Sequence, residues 1–428
     1  MKKLLLVLIT LILFKGPAYS GGVFVNSQQS AEYLRLFNRN AATDNADIAY
    51  YNMGGTVKLE DGQYFNGSNM FYFQKATVET INNPVLGDRE YKSDNSFLIF
   101  PNFYYVNKRG DRALFCSYQT IGATAIREWD DGLPTLDLVG QLLLASGGNP
   151  HSYLKGESAY YCFRAGGARK INDFFSFGVS ARYVYTMQKI EGKVTNDATE
   201  KELILDAEDK GDGFAFSLNM NISPNDALNI GITYEHTTKI ELETTVNDRD
   251  NEAEIFGALM EPVFIDGKKS RLDLPQILRT GISYQINPRL RTEASFNIYF
   301  EDNVNFSYLG SDYKSNYSNT YEFGACIEVA VSDRFDVSTG FIYNLIGQDE
   351  DSTVDISVPG GHSDYITLAG GFQYGIRQHV LLNFGLSYTG FVNTYENRDT
   401  YDTLMGPEAS KKYNKQYLLM AVGVNWQF

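Results

Sequence analysis

The stretch FAFSLNMNI, residues 214–222, alternates large apolar residues with small or polar ones. A period of two places successive side chains on opposite faces of a β-strand. The stretch therefore predicts a strand with one apolar face. The same alternation recurs in residues 228–235, 321–329, 380–389 and 420–428, so the chain is predicted to be all-β.

The connections between these strands distinguish a β-sandwich from a barrel. Tight turns rich in Pro, Gly, Asn and Asp are predicted at 107–111, 171–173, 223–226, 287–289, 332–334 and 377–379. Longer polar connections are predicted at 81–95, 128–155, 195–211, 245–270, 302–317, 347–362 and 394–413. Short and long connections alternate strictly, as in an antiparallel up-and-down barrel of the outer-membrane type. We predict such a transmembrane β-barrel over residues 56–428, with about 14 strands.

The two ends of the chain agree with export to an outer membrane. Lys2 and Lys3 precede an apolar run, and Ala18 and Ser20 are the small residues that a signal peptidase reads, so residues 1–20 are predicted to be a cleaved signal peptide. The last strand ends in Phe428 and resembles the signal read by the barrel-assembly machinery. We expect a monomer in the outer membrane of a Gram-negative-type bacterium, in contact with membrane lipid and lipopolysaccharide.

The composition disfavours several functions. A net charge of −15 argues against nucleic acid, which binds basic surfaces. The three cysteines are far apart in sequence, without metal-ligand spacing, and are predicted to be free thiols. The four histidines suggest no catalytic pairing, so we expect neither an enzyme nor a cofactor. The acidic runs 206–212 and 349–355 lack the EF-hand spacing and are interpreted as solvated outer loops.

Some segments do not have the strand pattern. Residues 30–39 predict a short helix that begins at a Ser N-cap. Residues 133–145 look helical, and residues 255–264 form a second apolar cluster, both inside supposed outer loops. These clusters either pack together as a lid or form an apolar groove for a ligand. The groove residues would be Leu136, Val139, Leu142, Leu143, Phe256, Leu259, Met260 and Phe264.

The alternation also identifies charges that face the lumen, namely Arg164, Arg182, Glu235, Arg279, Glu293, Glu322 and Glu328. Charges inside a barrel form mutual salt bridges in the simplest interpretation. The alternative is that one or two arginines bind a ligand carboxylate.

Three groups of sequence motifs resemble the long-chain fatty-acid transporter family of outer-membrane proteins (FadL/TodX type). The first is GVFVN at 22–26 with AATDNAD at 41–47 and YYN at 50–52. The second runs from GFAF at 213–216 through SPND at 223–226 to LNIGITY at 228–234. The third joins LP at 274–275, RTGISY at 279–284 and NPRL at 287–290.

The resemblance implies a barrel of about 14 strands closed by an N-terminal hatch over residues 21–55, which includes Asn26, Asp47 and Asn52. It further implies passive uptake of hydrophobic molecules through a groove between loops 133–145 and 253–264. A lumen pocket then follows, for which the candidates are Phe24, Arg164, Arg182 and Arg279. Ligand would leave sideways at a kinked strand, and Gly122 is the candidate for the kink.

One motif departs from the family, which usually has Asn-Pro-Ala where this chain has Asn52-Met53-Gly54. The loss of Pro removes a fixed φ and restores a backbone donor, so we expect a different hatch hinge. A more polar substrate or a largely sealed barrel stays open at this point. The alternatives to hydrophobic uptake are a diffusion porin for small polar solutes and a structural or adhesive barrel.

Overall fold

The computed structural model describes residues 30–94, 96–121, 127–141, 148–199, 202–249, 265–305, 307, 318–347, 364–391, 396–397 and 410–428. The predicted signal peptide lies outside these residues. None of the described helices is long and apolar enough to cross a membrane.

A single antiparallel sheet closes on itself as a 14-strand barrel. The first strand pairs with the last from Tyr64–Gln427 to Ile81–Ser410, and Gln63 and Phe428 exchange backbone hydrogen bonds of 3.0 and 2.9 Å. Some barrel strands are interrupted, so the strand segments are β1 Gly62–Ile81, β2 Arg89–Lys92, β3 Ser96–Arg109, β4 Arg112–Thr120, β5 Arg127–Trp129, β6 Pro150–Lys170, β7 Phe175–Asn196, β8 Glu202–Ile222, β9 Leu228–Glu235, β10 Glu241–Arg249, β11 Lys269–Arg271, β12 Gln276–Asn287, β13 Leu290–Phe300, β14 Thr320–Ser332, β15 Phe335–Leu345, β16 Tyr365–Arg377, β17 Val380–Phe391, β18 Glu396–Asn397 and β19 Ser410–Gln427.

The two faces of residues 214–222 confirm the predicted orientation. Phe214 is 70% exposed and Phe216 46%, whereas Ser217 and Asn219 are each 1% exposed. A soluble protein buries its apolar face, so this inverted pattern is that of a wall with lipid outside and a filled interior.

The strands of one side of the barrel extend well beyond the membrane. Strand β7 has 22 residues, which at roughly 3.3 Å each makes it more than twice as long as the apolar band of about 25 Å. The predicted long connection at 195–211 is wrong, because β7 continues to Asn196 and β8 already begins at Glu202. The predicted connection 128–155 likewise ends earlier, where β6 begins at Pro150.

The acidic run 206–212, interpreted above as an outer loop, belongs to strand β8. Above the membrane the sheet faces water outside, so the pattern is reversed: Leu203, Leu205 and Ala207 are buried inside, and the alternate residues Glu202, Asp206 and Glu208 point outward. Lys210 pairs with Glu208 at 2.8 Å on the outer face. Asp209 is the exception, since it is buried and accepts a hydrogen bond from the Thr244 hydroxyl at 2.5 Å.

A hatch of short helices fills the lumen before the first strand begins at Gly62. It contains α1 Ala31–Leu36, α2 Ile48–Tyr51 and a 3-10 helix Met53–Lys58. The predicted N-cap is confirmed, because the Ser30 hydroxyl accepts from the backbone N–H of Tyr33 at 3.0 Å. Helix α1 ends where Phe37 adopts a left-handed conformation with φ of 56°.

Glycines of the barrel wall let the hatch backbone come close. A Cβ at Gly231 would lie 1.8 Å from the carbonyl oxygen of Asn40, and one at Gly340 would lie 2.1 Å from that of Leu36. A side chain at either position would push the hatch off the wall.

Asparagines of the wall hold the hatch by hydrogen bonds. Asn221 accepts from the Asn52 amide at 2.7 Å, and Asn297 accepts from the Asn40 amide at 2.8 Å. The Glu32 carboxylate, on α1, accepts from three wall amides through one oxygen: those of Asn66 and Asn383, both at 2.8 Å, and that of Asn425.

Candidate functional site

Three arginines of the lumen wall converge on a single carboxylate. Arg164 on β6 and Arg182 on β7 each form a salt bridge with Glu235 on β9, and the Nη2 atom of Arg279 on β12 lies 3.5 Å from the same carboxylate. All four side chains are at most 3% exposed. The predicted inward orientation of the three arginines is confirmed. We call these four residues the arginine cluster.

Strand register explains why the cluster forms. Arg164 and Arg182 are direct cross-strand partners, and Glu235 and Arg279 lie on the paired strands β9 and β12. The Arg182 guanidinium is also fixed by the Thr238 hydroxyl, which accepts from Nε at 2.9 Å and from Nη2 at 2.6 Å.

The hatch contacts this cluster through Tyr50. The guanidinium carbons of Arg164 and Arg279 lie 4.8 and 4.9 Å from the centre of the Tyr50 ring. The Arg279 Nη2 atom also donates to the Tyr50 hydroxyl at 3.0 Å. Sequence reasoning missed Tyr50, although the pair Tyr50-Tyr51 at the end of the quoted hatch motif was a visible signal.

The cluster carries more positive than negative charge. Three guanidinium groups share one carboxylate, and Arg164 Nε and Arg279 Nη1 are buried without a hydrogen-bond partner among the described residues. Buried donors are normally paired, and unpaired ones indicate a group that the protein itself does not supply. The arrangement can therefore accept an anion.

An apolar cluster lies on the extracellular side of the arginines. Cys162 and Val184 stand two residues above Arg164 and Arg182 on the same strands and face the same way. They belong to a buried group, here called the lumen apolar cluster, of Ile121, Tyr160, Cys162, Val184, Ile240, Leu242, Leu272, Leu274 and Val304. The lumen thus has an apolar region directly on the extracellular side of a cationic one.

The predicted hatch residues have structural contacts. Asp47 accepts from the Ser30 hydroxyl at 2.8 Å and from Arg39 Nε at 3.1 Å. Asn52 donates to the Ala42 carbonyl at 2.9 Å as well as to the wall. Both residues hold the hatch together and contact neither the arginine cluster nor the lumen apolar cluster through these bonds.

The first predicted loop helix is present as α3, Pro134–Val139. Leu136 packs against an apolar group that includes Tyr91, Trp129 and Leu133. Asp137 of the same helix is completely buried and accepts from the Tyr91 hydroxyl at 3.0 Å and the Ser152 hydroxyl at 2.6 Å. The helix is therefore anchored to the mouth of the barrel.

The other predicted site residues do not all lie in the described part of the chain. Val139 is the last residue of α3. The residues outside the described ranges are Phe24, Asn26, Gly122, Leu142, Leu143, Phe256, Leu259, Met260 and Phe264. The groove between the two loops and the kink at Gly122 stay predictions.

A recess of about 580 Å³ interrupts the lipid-facing side of the wall at β4. Aromatic side chains form its rim, and small side chains form its floor. The floor residues are cross-strand neighbours: Cys116 pairs with Ala165, which pairs with Ala181. Ser117, Arg164 and Arg182, whose side chains face the lumen, contribute to the lining because the wall is one sheet thick. The rim consists of Phe65, Phe103, Tyr105, Tyr118, Phe163, Tyr183 and Phe214.

The wall also loses backbone hydrogen bonds beside this recess. Strand β3 pairs with β1 as far as Ser96, but with β4 only as far as Phe103–Tyr118. Beyond that pair, the Thr120 N–H donates to the Asn102 side chain at 3.1 Å instead of to a backbone carbonyl. Strand β4 is therefore only weakly joined to β3 next to Asn102 and Thr120.

No cluster of three or more His, Cys, Asp or Glu suited to a metal ion occurs in the described ranges. All three cysteines are free thiols, with Cys116 exposed on the lipid face and Cys162 and Cys326 buried.

A closed barrel with lipid-facing apolar side chains, filled by a hatch that contacts a charged lumen site, defines an outer-membrane transport protein. The model of the family of outer membrane transport proteins OMPP1/FadL/TodX matches residues 12–428. The chain belongs to this family. It is an outer-membrane channel for hydrophobic compounds and not an enzyme.

Solved structures have the same fold. A Pseudomonas aeruginosa FadL homologue has a TM-score of 0.70 at 14% identity, over 94% of this chain and 99% of that one. The Pseudomonas putida toluene transporter TodX has a TM-score of 0.62 at 13% identity, over 95% and 100%. The Ralstonia pickettii toluene transporter TbuX has a TM-score of 0.57 at 13% identity, over 93% and 98%. None of the curated proteins compared with the chain matches it.

Proposed function

We propose that the protein takes up amphiphiles that have a long apolar tail and an anionic head, such as long-chain fatty acids, by passive diffusion. The observation that carries this proposal is the arginine cluster, in which three arginines share one carboxylate beneath the lumen apolar cluster. The tail would occupy the apolar region, where it leaves water. The carboxylate would bind Arg164 and Arg279, each of which has one buried donor without a partner, through charge-assisted hydrogen bonds.

This preference separates fatty acids from aromatic hydrocarbons such as toluene, the compound that two of the similar structures are named for. A neutral aromatic hydrocarbon offers the guanidinium groups a ring face, but it supplies neither a counter-charge nor a hydrogen-bond acceptor. An anionic head gains a counter-charge in a site shielded from water, where electrostatic attraction is strong.

Equilibrium binding to the purified protein tests this preference, with palmitate compared with hexadecanol of equal chain length. We expect palmitate to bind at least about ten-fold more tightly, since a hydrogen bond to a charged group contributes about 1.5–3 kcal/mol. Arg279→Gln should remove this difference, whereas Arg271→Gln, a matched change in an outer segment where Arg271 pairs with Asp273, should leave it unchanged. Equal binding of both ligands by the wild type would contradict the anionic head.

We further propose that ligand leaves through the wall into the membrane at the recess beside β4. The support is the aromatic recess and the end of the β3–β4 ladder at Phe103–Tyr118. Exit at this level would keep the tail in an apolar medium throughout.

A disulfide across the wall tests the exit. In a Cys116→Ser background, Phe103→Cys with Tyr118→Cys joins two cross-strand partners, and we expect oxidation to slow fatty-acid flux into liposomes and reduction to restore it. The control pair Phe341→Cys with Leu368→Cys joins lipid-facing partners of β15 and β16. Equal flux in oxidised and reduced forms of the first pair would argue against this exit.

A diffusion porin is the alternative, and it predicts a steady ionic conductance. The hatch makes this second function less suitable, because its helices α1 and α2 are completely buried in the lumen. Single-channel recordings that reveal a wide, constantly open pore would favour the porin.

A further inference from the structure

Tyr50 of the hatch lies on the same two arginines that the ligand head of the proposed function would bind. Its ring lies against Arg164 at 4.8 Å and Arg279 at 4.9 Å, and its hydroxyl accepts from Arg279 at 3.0 Å. These are the two arginines that have unpartnered donors. Tyr50 offers them an aromatic face and one acceptor, which are two of the interactions that guanidinium groups favour.

Tyr50 is nevertheless an incomplete partner. Burial raises the pKa of Tyr50, so its hydroxyl stays neutral and adds no negative charge to a site with two excess positive charges. A carboxylate would supply that charge and fill both spare donors. Two ligands that require the same groups compete, and the charged one has the stronger attraction in a buried site.

Tyr50 is joined to the rest of the hatch by a chain of aromatic contacts. Its ring meets Tyr51 edge to face at 4.9 Å, and Tyr51 stacks on Tyr33 of α1 at 5.1 Å. Tyr33 in turn meets Phe37, at the end of α1, at 5.6 Å. Aromatic pairs of this kind have definite geometries, so these contacts connect the position of Tyr50 to the packing of α1 through Tyr51.

We propose that Tyr50 is an internal placeholder for the ligand head, and that an anionic amphiphile displaces it from Arg164 and Arg279 and thereby loosens the hatch. The arginine cluster then has two alternating occupants: the tyrosine in the closed state and the carboxylate in the loaded state. This inference rests on the proposed binding of an anionic head at the arginine cluster. It adds a residue that sets both the affinity for ligand and the coupling of binding to hatch movement.

Affinity measurements on Tyr50 variants test the competition. Tyr50→Phe removes the acceptor but keeps the ring, and Tyr50→Leu removes both. We expect palmitate affinity to rise in the order wild type, Tyr50→Phe, Tyr50→Leu, by about ten-fold in total, since two buried cation–π contacts no longer compete. Met53→Ala is the control, because it truncates another completely buried hatch side chain outside the aromatic chain from Tyr50 to Phe37, and it should not raise the affinity.

A distance measurement tests the coupling. Spin labels at Lys58→Cys on the hatch and Asp226→Cys on a wall turn, both exposed, report hatch position in a Cys116→Ser background. Palmitate should change the distance distribution in the wild type. In Tyr50→Leu the distribution should already be shifted without ligand and change little when palmitate binds. Retention of the folded, heat-modifiable barrel on gels verifies that each variant is intact.

The outcomes separate this inference from the proposed function. If neither wild type nor any variant binds palmitate, the proposed function fails. If the wild type binds palmitate through Arg279 but Tyr50→Leu and Tyr50→Phe bind with unchanged or lower affinity, the function stands and the placeholder is wrong. A hatch that stays fixed when palmitate binds would overturn the coupling.

Discussion

Replacement of Glu235 by Gln should destabilise the barrel strongly. Both carboxylate oxygens of Glu235 serve buried guanidinium groups, and its side chain is completely buried. Removing one partner of a buried ion pair costs about 3–5 kcal/mol, because the remaining charge loses its counter-ion. The Gln amide oxygen still accepts one hydrogen bond, so we expect a loss of about 3 kcal/mol.

Reversible denaturant unfolding in lipid vesicles measures this loss. The matched control is Glu208→Gln, which breaks a pair with Lys210 on the water-facing side of β8 and should cost less than about 1 kcal/mol. A saturating anionic amphiphile should stabilise Glu235→Gln more than the wild type, because it replaces the lost charge and binds only the folded state. A loss equal to that of the control would refute the account of Glu235 as the counter-ion of the cluster.

Three further predictions concern the hatch and the mouth. Burial, together with the nearby Asp47 carboxylate, raises the pKa of Glu32 from 4.5 to about 7. Between these two pH values the docked hatch keeps a proton on Glu32 that the released hatch loses. Docking should therefore weaken as pH rises from about 4.5 to about 7, by up to about 3 kcal/mol. Glu32→Gln should remove this dependence in proteolysis of the hatch at different pH values, and an unchanged profile would contradict it. Gly231→Val should displace the hatch by steric clash with Asn40 and produce measurable ionic conductance, whereas an insulating barrel would count against this packing. Asp137→Asn should weaken the anchor of α3 by about 2 kcal/mol and expose residues 127–141 to protease, while the exposed Asp131→Asn should not.

The barrel could be predicted from the sequence because the alternation of apolar and polar residues along each strand is a local property. The period of two in residues 214–222 depends only on which side of the wall each side chain meets, and the same rule placed Arg164, Arg182 and Arg279 in the lumen. The rule failed at residues 195–211, since above the membrane the outer face becomes polar and the inner face apolar. The charged residues of this segment led to the prediction of a loop, although the segment alternates with the same period of two as the other strands.

The site itself could not be predicted in the same way. That three arginines meet at Glu235 depends on the register of β6, β7, β9 and β12, which a one-residue slip would change. The contact of Tyr50 depends on how residues 30–61 fold inside a closed wall. No periodicity specifies that packing, because the hatch consists of short helices joined by irregular segments.

The lumen of this channel for hydrophobic compounds contains buried charges, which need a physical reason. Arginine side chains inside a wall are costly to desolvate, and a ligand without polar groups would be better accommodated by the lumen apolar cluster alone. The excess of two positive charges is then useful in two states only: with an anionic head bound, or with Tyr50 covering the guanidinium faces. On this proposal, a site that is filled by the hatch and better filled by the ligand closes the barrel when empty and opens it when loaded, and the difference in ligand affinity between the two states drives that exchange.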